Sequence, residues 1–501
     1  MISNGVDAAA AFPGATVTRV VFGGAGSDPA KAARPAVADA SSGRSLSYGE
    51  LAARVGAAAS GLVREGVRPG DVVGLHLPGG PEFALALHAV TAAGAVPFPV
   101  GGRPAAEVAR LLEDGGVRAA ITWPGLAGDV RAPDRRLFCF GAEPGTEPFA
   151  ALLTGPPAAV RLDPSRAPAL VACTGGPPGP VRTVRLTHAE VVAGLVRVAE
   201  AGMIGSADTV LTALPLSGVL GLNGVLNPAL RLGATVVAVT GGGRHDLLRS
   251  LQRWRATVAV PPPALLEALG RDRAVARYDL GTLRAVVAAG GPLAAEDARA
   301  AAARFGCPVR QAYGLAEAAG ITHLNLRAAE EGTLDSVGRG LPGVVWRVVH
   351  PRTGGVQPSY QPGELCIRLP VARTAAVPAR WLPTGDSAFA DDHGRVFVLG
   401  RVGRGPSEPL AEPGAVLAAH PAVSDAAVVP VPDDDLGLAP HGFAVVTDET
   451  SEADLLAYLE THVAERGGIA AVHIVDEIPR EPGGRVRRRT LLDRAGLGRL
   501  P

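Results

Sequence analysis

LVACTGGPPGPVRTVRLTH, residues 170–188, sets the fold of this chain. Leu170 to Thr174 are apolar or small and read as a strand. The Gly/Pro run from Gly175 to Pro180 breaks it, and Leu186-Thr187-His188 opens a helix. A strand, a glycine-rich loop and a helix entry together present backbone to a phosphate group. The loop is not a Walker loop, because G-K-[ST] is missing.

Outward from this segment, short apolar runs alternate with Ala-rich helical patterns. DVVGLHL (71–77), RAAITW (118–123), TVLTAL (209–214), ATVVAVT (234–240) and RAVVAAGG (284–291) read as strands. PEFALALHAVTAAG (81–94) and Ala294 to Phe305 read as helices. Strands alternating with helices predict mainly parallel sheets covered on both faces. From about Gly338 the rhythm changes: GVVWRVVHP, GELCIRLP and GRVFVLGR are short strands between Gly and Pro turns, a small β-rich subdomain. A compact C-terminal α+β segment follows, with helices near Ala415–Ala419 and Ala453–Arg466 and strands VSDAAVVPV and AAVHIVDEI. VGRGPSEP (402–409) reads as a hinge. The expectation is an α/β protein with a large N-terminal domain over 1–401 and a small mobile domain over 402–501.

Composition narrows the function. The 501 residues carry 48 basic and 48 acidic side chains, so no net charge draws the chain to nucleic acid or an anionic membrane. Hydrophobic residues at 47% and charged residues at 19% describe a globular protein. Lys31 is the only lysine, so chemistry that needs an ammonium further along the chain is not available. Cys139, Cys173, Cys307 and Cys366 are far apart, which argues against a zinc site or disulfide framework and for a reducing, cytoplasmic setting. MISNGVDAAAAFPGA lacks a basic region before an apolar core and does not read as a signal peptide. Thr209 to Thr240 is apolar but broken by Pro215, Asn223, Asn227, Pro228 and Arg231, so it reads as buried α/β structure and not a membrane span.

Further motifs occur in a fixed order: SLSYGELA (45–52), AGAVPFPV (93–100), PLSGVLGLN (215–223), AAGGPL (288–293), QAYGLAE (311–317), GELCIR (363–368), WLPTGD (381–386), GRV (400–402), HPAVSDAAVVPVPDDDLG (420–437) and VDEIPREPGGRVRRRTLL (475–492). Together they resemble the adenylate-forming (ANL) superfamily of acyl-CoA synthetases, aryl-CoA ligases and adenylation domains, over nearly the whole chain. That family's loop reads T-S-G-T-T-G-x-P-K-G followed by L-T-H. Thr174, Gly176, Gly179 and Leu186-Thr187-His188 are kept, beside Gly175; Pro177 and Pro178 stand at the hydroxyl positions and Arg182 at the lysine.

The resemblance implies an AMP site of Gly290, Gly291, Pro292, Tyr313, Gly314, Ala316, Glu317, Asp386 and Arg401. Asp386 would accept the ribose hydroxyls and Arg401 would reach ribose or phosphate; read alone they are a turn aspartate and a surface arginine. Tyr313 would stack on adenine or be a core tyrosine. Gly290-Gly291 would admit a flat ligand or simply turn the chain. Glu317 would hold Mg²⁺ or be a relic. Acyl-binding candidates are Ser217, Gly218, Asn223, Gly290, Ala312 and Leu315; the small residues Gly218, Gly290 and Ala316 hint at room for a bulky polycyclic or aryl acid. The hinge position is Gly403, in a junction about five residues shorter than the family's. Arg485 stands where the catalytic lysine belongs. The seven arginines from Arg480 to Arg499 would clamp the phosphates of CoA or form a basic surface.

The family attaches a carboxylate to AMP, releasing pyrophosphate, and then transfers the acyl group to a thiol. Adenylation places charge on the leaving pyrophosphate and needs donors and cations aimed there. Pro177 and Pro178 have neither N–H nor hydroxyl, Ala316 removes another hydroxyl, and the guanidinium of Arg485 is broader than an ammonium. Each lost donor costs on the order of 10²–10³ in rate. The AMP-holding residues persist. The pattern is similar to the non-adenylating acyl-CoA ligases of platensimycin- and platencin-type diterpenoid pathways. These take acyl-AMP and CoA as substrates, release AMP, have no evident call for Mg²⁺, and act beside a separate adenylating ligase. Two readings compete: a complete ATP-dependent acyl-CoA synthetase in which arginines substitute, and a non-catalytic ligand-binding or scaffolding paralogue.

Overall fold

The computed structural model describes all residues except 1–13, 24–27, 156–159, 175–180, 242, 327–333, 370–380, 403–416, 419, 434–436, 463–470, 480–487 and 498–501. The chain divides into two compact units: Ile2–Val345 with Arg368–Arg380, and Trp346–Ile367 with Trp381–Pro501.

The larger unit is built on two sheets. Six strands of its nine-stranded sheet run parallel in the order Pro35–Asp39, Thr235–Ala238, Thr209–Thr212, Val258–Val260, Ala285–Ala289 and Val309–Leu315. Antiparallel strands Gly320–Leu324 and Arg339–Gly340 extend one edge, and Ser45–Ser47 the other. The second sheet is parallel throughout: Val96–Pro99, Val72–His76, Ala119–Thr122, Arg136–Cys139 and Glu147–Pro148. The central strands are short runs of Val, Ala, Leu and Ile buried on both faces, which is why they read as continuous apolar segments. Leu211, Val237, Leu248, Leu266, Val286 and Phe305 join one core, and Phe98, Val108, Leu112, Leu137 and Val171 another.

One difference from the expectation lies in the segment quoted first. Arg182–Thr187 is a strand that pairs antiparallel with Pro168–Thr174, with Thr174 opposite Arg182 and Val171 opposite Arg185. The two strands on either side of the Gly/Pro run thus pair with each other, and the helix starts only at His188. Its start is chemically explicit: the Thr187 hydroxyl accepts from the Glu190 amide at 3.2 Å, and the Glu190 carboxylate accepts from the Thr187 amide at 2.8 Å.

In the smaller unit, Gly363–Arg368, Leu382–Ala390 and Val396–Arg401 pair antiparallel in one sheet, beside Val345–Val349. Val423–Asp433, Gly437–Val446 and Ala471–Ile474 form a second sheet, accompanied by helices Glu452–His462 and Arg488–Arg494. The expected 453–466 helix is described only to His462, and the strand expected over AAVHIVDEI ends at Ile474. Most of the expected 415–419 helix and nearly all of the hinge lie outside the described residues. Among the described residues no helix is long and apolar enough to cross a membrane.

Candidate functional site

In a parallel sheet, ligands meet the carboxyl ends of the strands. Gly290 follows the end of Ala285–Ala289, and Tyr313-Gly314-Leu315 closes Val309–Leu315; Ala289 and Ala312 are in register, so the two turns are neighbours. Pro215-Leu216-Ser217 follows Thr209–Thr212 two strands away. The site candidates of the larger unit gather on this edge.

The turn after Tyr313 is tightly specified. At Gly314 a Cβ would sit 2.3 Å from the Gly320 carbonyl oxygen, so only glycine lets the hairpin close. Ala316–Ala318 makes a single 3₁₀ turn, and Ala319 takes a left-handed φ of 55° that alanine adopts only under constraint. The constraint is visible. Asn223 is fully buried and donates to the Ala319 carbonyl at 2.7 Å and the Val191 carbonyl at 3.0 Å, and it accepts from Asn227 at 2.9 Å. Gly194, in the helix, leaves room for the Ala319 oxygen, which a Cβ would meet at 2.3 Å. Asn223, expected to line an acyl group, therefore braces the turn.

At that turn the Thr174 hydroxyl donates to the Glu317 carboxylate at 2.8 Å, tying the hairpin to the 3₁₀ turn. Ala316 is buried, a methyl where the family motif has a hydroxyl. Tyr313 is half-buried, its ring edge-on to His323 with centroids 5.9 Å apart. His323 is fully buried; burial, with the Arg197 charge adding to it, holds the imidazole down at about 3, so it is neutral. Gly290 has φ +92° and Gly291 and Pro292 are exposed beside it. A Cβ on Gly290 would lie 3.8 Å from Leu220, and one on Gly291 3.6 Å from Pro263, so these two side chains flank the glycine pair. Ser217 donates to the Gly101 carbonyl at 2.9 Å, joining the edges of the two sheets. Gly218 caps the turn Val219–Gly221, Ala312 is buried and Leu315 half-buried opposite Gly320.

The smaller unit carries Asp386 and Arg401, paired across adjacent strands. Asp386 is 9% exposed and accepts from the Arg401 guanidinium at 2.9 Å, while the Arg401 side chain is 54% exposed. Gly385, at φ +70°, hydrogen-bonds Glu364 at 3.0 Å, and the Asp386 amide donates to Thr384 at 3.1 Å, so the carboxylate is held on a fixed turn. Arg401 thus serves first as the partner of Asp386. Gly175, Gly176, Pro177, Pro178, Gly179, Gly403 and Arg485 lie outside the described residues. Arg182 is described: it is exposed and opposite Thr174.

Sequence reasoning missed Gly194, Ala319, His323, Leu220 and Pro263. A signal existed for Gly194 alone: glycine inside a helix costs about 1 kcal/mol against alanine and implies close packing.

Residues 28–374 match the family described as AMP-binding enzyme, and residues 414–485 match the AMP-binding enzyme C-terminal domain. The chain is 31% identical over 518 residues to a 4-coumarate–CoA ligase-like protein of Oryza sativa subsp. japonica, covering 96% of this chain and 93% of that one. It is 30% identical over 510 residues to 4-coumarate–CoA ligase 2 of the same organism, covering 91% and 89%. Among solved structures, the amide bond synthetase McbA from Marinactinospora thermotolerans superimposes with a TM-score of 0.68 at 27% identity, covering 95% of this chain and 99% of that one. Matched over most of its length by the family model and by these relatives, this chain belongs to the AMP-binding enzyme family.

Proposed function

We propose that this protein is an acyl-CoA ligase that performs only thioester formation: acyl-AMP and CoA become acyl-CoA and AMP. The CoA sulfur attacks the acyl carbonyl carbon, the carbonyl–oxygen bond to AMP breaks, AMP leaves with that oxygen, and the thiol proton passes to solvent. The leaving group is a stable phosphate monoester, so the step needs orientation more than new charge stabilisation. Asp386 and Arg401 hold the ribose and Tyr313 with Gly290-Gly291 holds the base. No pyrophosphate departs, so nothing in this step calls for Mg²⁺ at β,γ-phosphates.

One observation carries the reading. The hydroxyl kept from the loop motif, Thr174 Oγ1, donates to Glu317, and the neighbouring Ala316 offers a buried methyl. With Pro177 and Pro178 at the other hydroxyl positions and Arg485 at the lysine position, phosphate donors are depleted where pyrophosphate would leave. The acyl group is aryl or otherwise bulky, in keeping with the 4-coumarate named in the relatives. The acyl-AMP comes from a separate adenylating ligase, in the cytoplasm.

The test is a pair of assays on the purified chain. ATP–pyrophosphate exchange over a panel of aryl and polycyclic acids is expected to stay at background, and synthetic acyl-AMP with CoA is expected to give acyl-CoA and AMP. Exchange with any acid makes it a complete synthetase. No thioester above the buffer rate makes it a non-catalytic paralogue.

A further inference from the structure

Beside the 168–187 hairpin, the larger unit has a second concave feature. It is a groove of about 280 Å³ between the hairpin and the end of the helix Ala105–Asp114. Its apolar floor includes Phe98, Leu111 and Val171, and its rim carries Arg110, Arg182 and Arg185. Val171 and Arg185 are directly opposite each other in the ladder, and Val171 packs in the core with Leu111, which fixes this face of the hairpin against the helix.

The charge balance of the groove is lopsided. Its one carboxylate, Asp114, is closed by Arg110 at 2.9 Å. Arg182 and Arg185 have no carboxylate within 4 Å among the described residues. Some other arginines of the unit are closed by a carboxylate: Arg44 by Glu82, Arg103 by Glu107, Arg271 by Asp297, Arg284 by Asp208. Arginines without a carboxylate partner on the rim of a small groove favour an anion, and the planar fork suits phosphate oxygens.

We propose that this groove is a phosphate-monoester subsite, formed by Arg110, Arg182 and Arg185. Its position suggests the source. Three strand steps of about 3.3 Å separate Val171 from Thr174, so the Val171–Arg185 end of the groove lies roughly 10 Å along the hairpin from the Thr174–Glu317 contact. A long cosubstrate carrying a phosphate monoester at the end opposite its thiol spans such a distance. That chemistry matches the 3′-phosphate of CoA, and this assignment rests on the proposed function. Free pyrophosphate or phosphate shares the chemistry without that dependence.

Binding to the full chain is measured by calorimetry for CoA, 3′-dephospho-CoA and inorganic pyrophosphate, in the unaltered protein, Arg185→Gln, Arg185→Lys and the double variant Arg110→Gln/Arg185→Gln. Circular dichroism and Tm check the fold of each; the altered side chains are exposed. The expected result is that the unaltered chain prefers CoA over dephospho-CoA by about tenfold or more, that the double variant binds the two alike, and that Arg185→Lys keeps part of the preference. If CoA and dephospho-CoA bind alike, or not at all, but the double variant loses pyrophosphate affinity about tenfold, the groove is a site for free phosphate. In the second of these cases the ligase assignment fails while the groove stands. If none of the three affinities differs between the double variant and the unaltered chain, the proposal is overturned.

Discussion

Asn223→Ala separates a brace from a substrate contact. Asn223 is fully buried, gives two hydrogen bonds to backbone carbonyls and takes one from Asn227. At about 1 kcal/mol net for each bond, with the Ala319 carbonyl and the Asn227 amide then losing a buried partner, truncation costs about 3 kcal/mol or somewhat more. For a unit of this size, at about 2.1 cal/mol/K of unfolding entropy per residue, that is a fall of roughly 4 °C in Tm. Asn223→Asp keeps the shape but turns acceptor oxygens toward two carbonyls, so its loss is expected to equal or exceed that of alanine. Differential scanning calorimetry reads the shift, and near-ultraviolet circular dichroism shows whether the Tyr313 turn loosens with it. If both variants melt within 2 °C of the parent and change only which acyl-AMP is used, Asn223 lines the acyl pocket and the bracing argument fails.

Other consequences are equally direct. Asp386→Asn removes a charged acceptor whose ion pair with a half-exposed Arg401 adds at most about 1 kcal/mol to the fold; AMP affinity is expected to fall about 100-fold by calorimetry with Tm nearly unchanged, and an unchanged affinity refutes the ribose role. Gly314→Ala places a Cβ 2.3 Å from the Gly320 oxygen, so a drop of several degrees in Tm together with poorer AMP binding is expected; a variant as stable as the parent would mean the turn opens freely. His88 is fully buried, and burial alone lowers it to about 3, against about 6.5 in the unfolded chain; His188, lowered to about 4, uses Nδ1 to accept from the Val17 amide. As pH falls below 6.5 the unfolded chain takes up these protons first, so stability is full above that pH and drains toward pH 3. His88→Leu should flatten the Tm profile between pH 6.5 and 4, and a profile parallel to the parent's would show that His88 does not drive it.

The legible part of this fold was the part in which neighbouring residues decide the outcome. The parallel strands announce themselves because burial on both faces makes each a short apolar run, and Thr187 with Glu190 spells a helix start in four residues. Arg182–Thr187 did not announce itself. Leu186 is its one buried residue, so the strand carries almost no hydrophobic signal and is held by its pairing with Pro168–Thr174. Asn223 is harder still. Nothing in PLSGVLGLN separates an asparagine aimed at a ligand from one bonded to a carbonyl 96 residues away. The same holds for Gly314 and Gly194, whose requirement for glycine is imposed by oxygens of residues 320 and 319.

These long-range contacts also bear on how chemistry can be lost from such a site without loss of the fold. The turn that presents Tyr313 and Glu317 is fixed from behind, by Asn223, by the space at Gly194 and by the Gly314–Gly320 approach. None of these contacts uses the side chain of Ala316, the proline pair of the loop or Arg485. A hydroxyl at position 316 would therefore change what the site can donate and leave the brace intact. If so, Ala316→Thr should leave Tm within about 1 °C of the parent; a large drop would show that the small residue at 316 is a packing requirement, and its reading as a lost phosphate donor would fall.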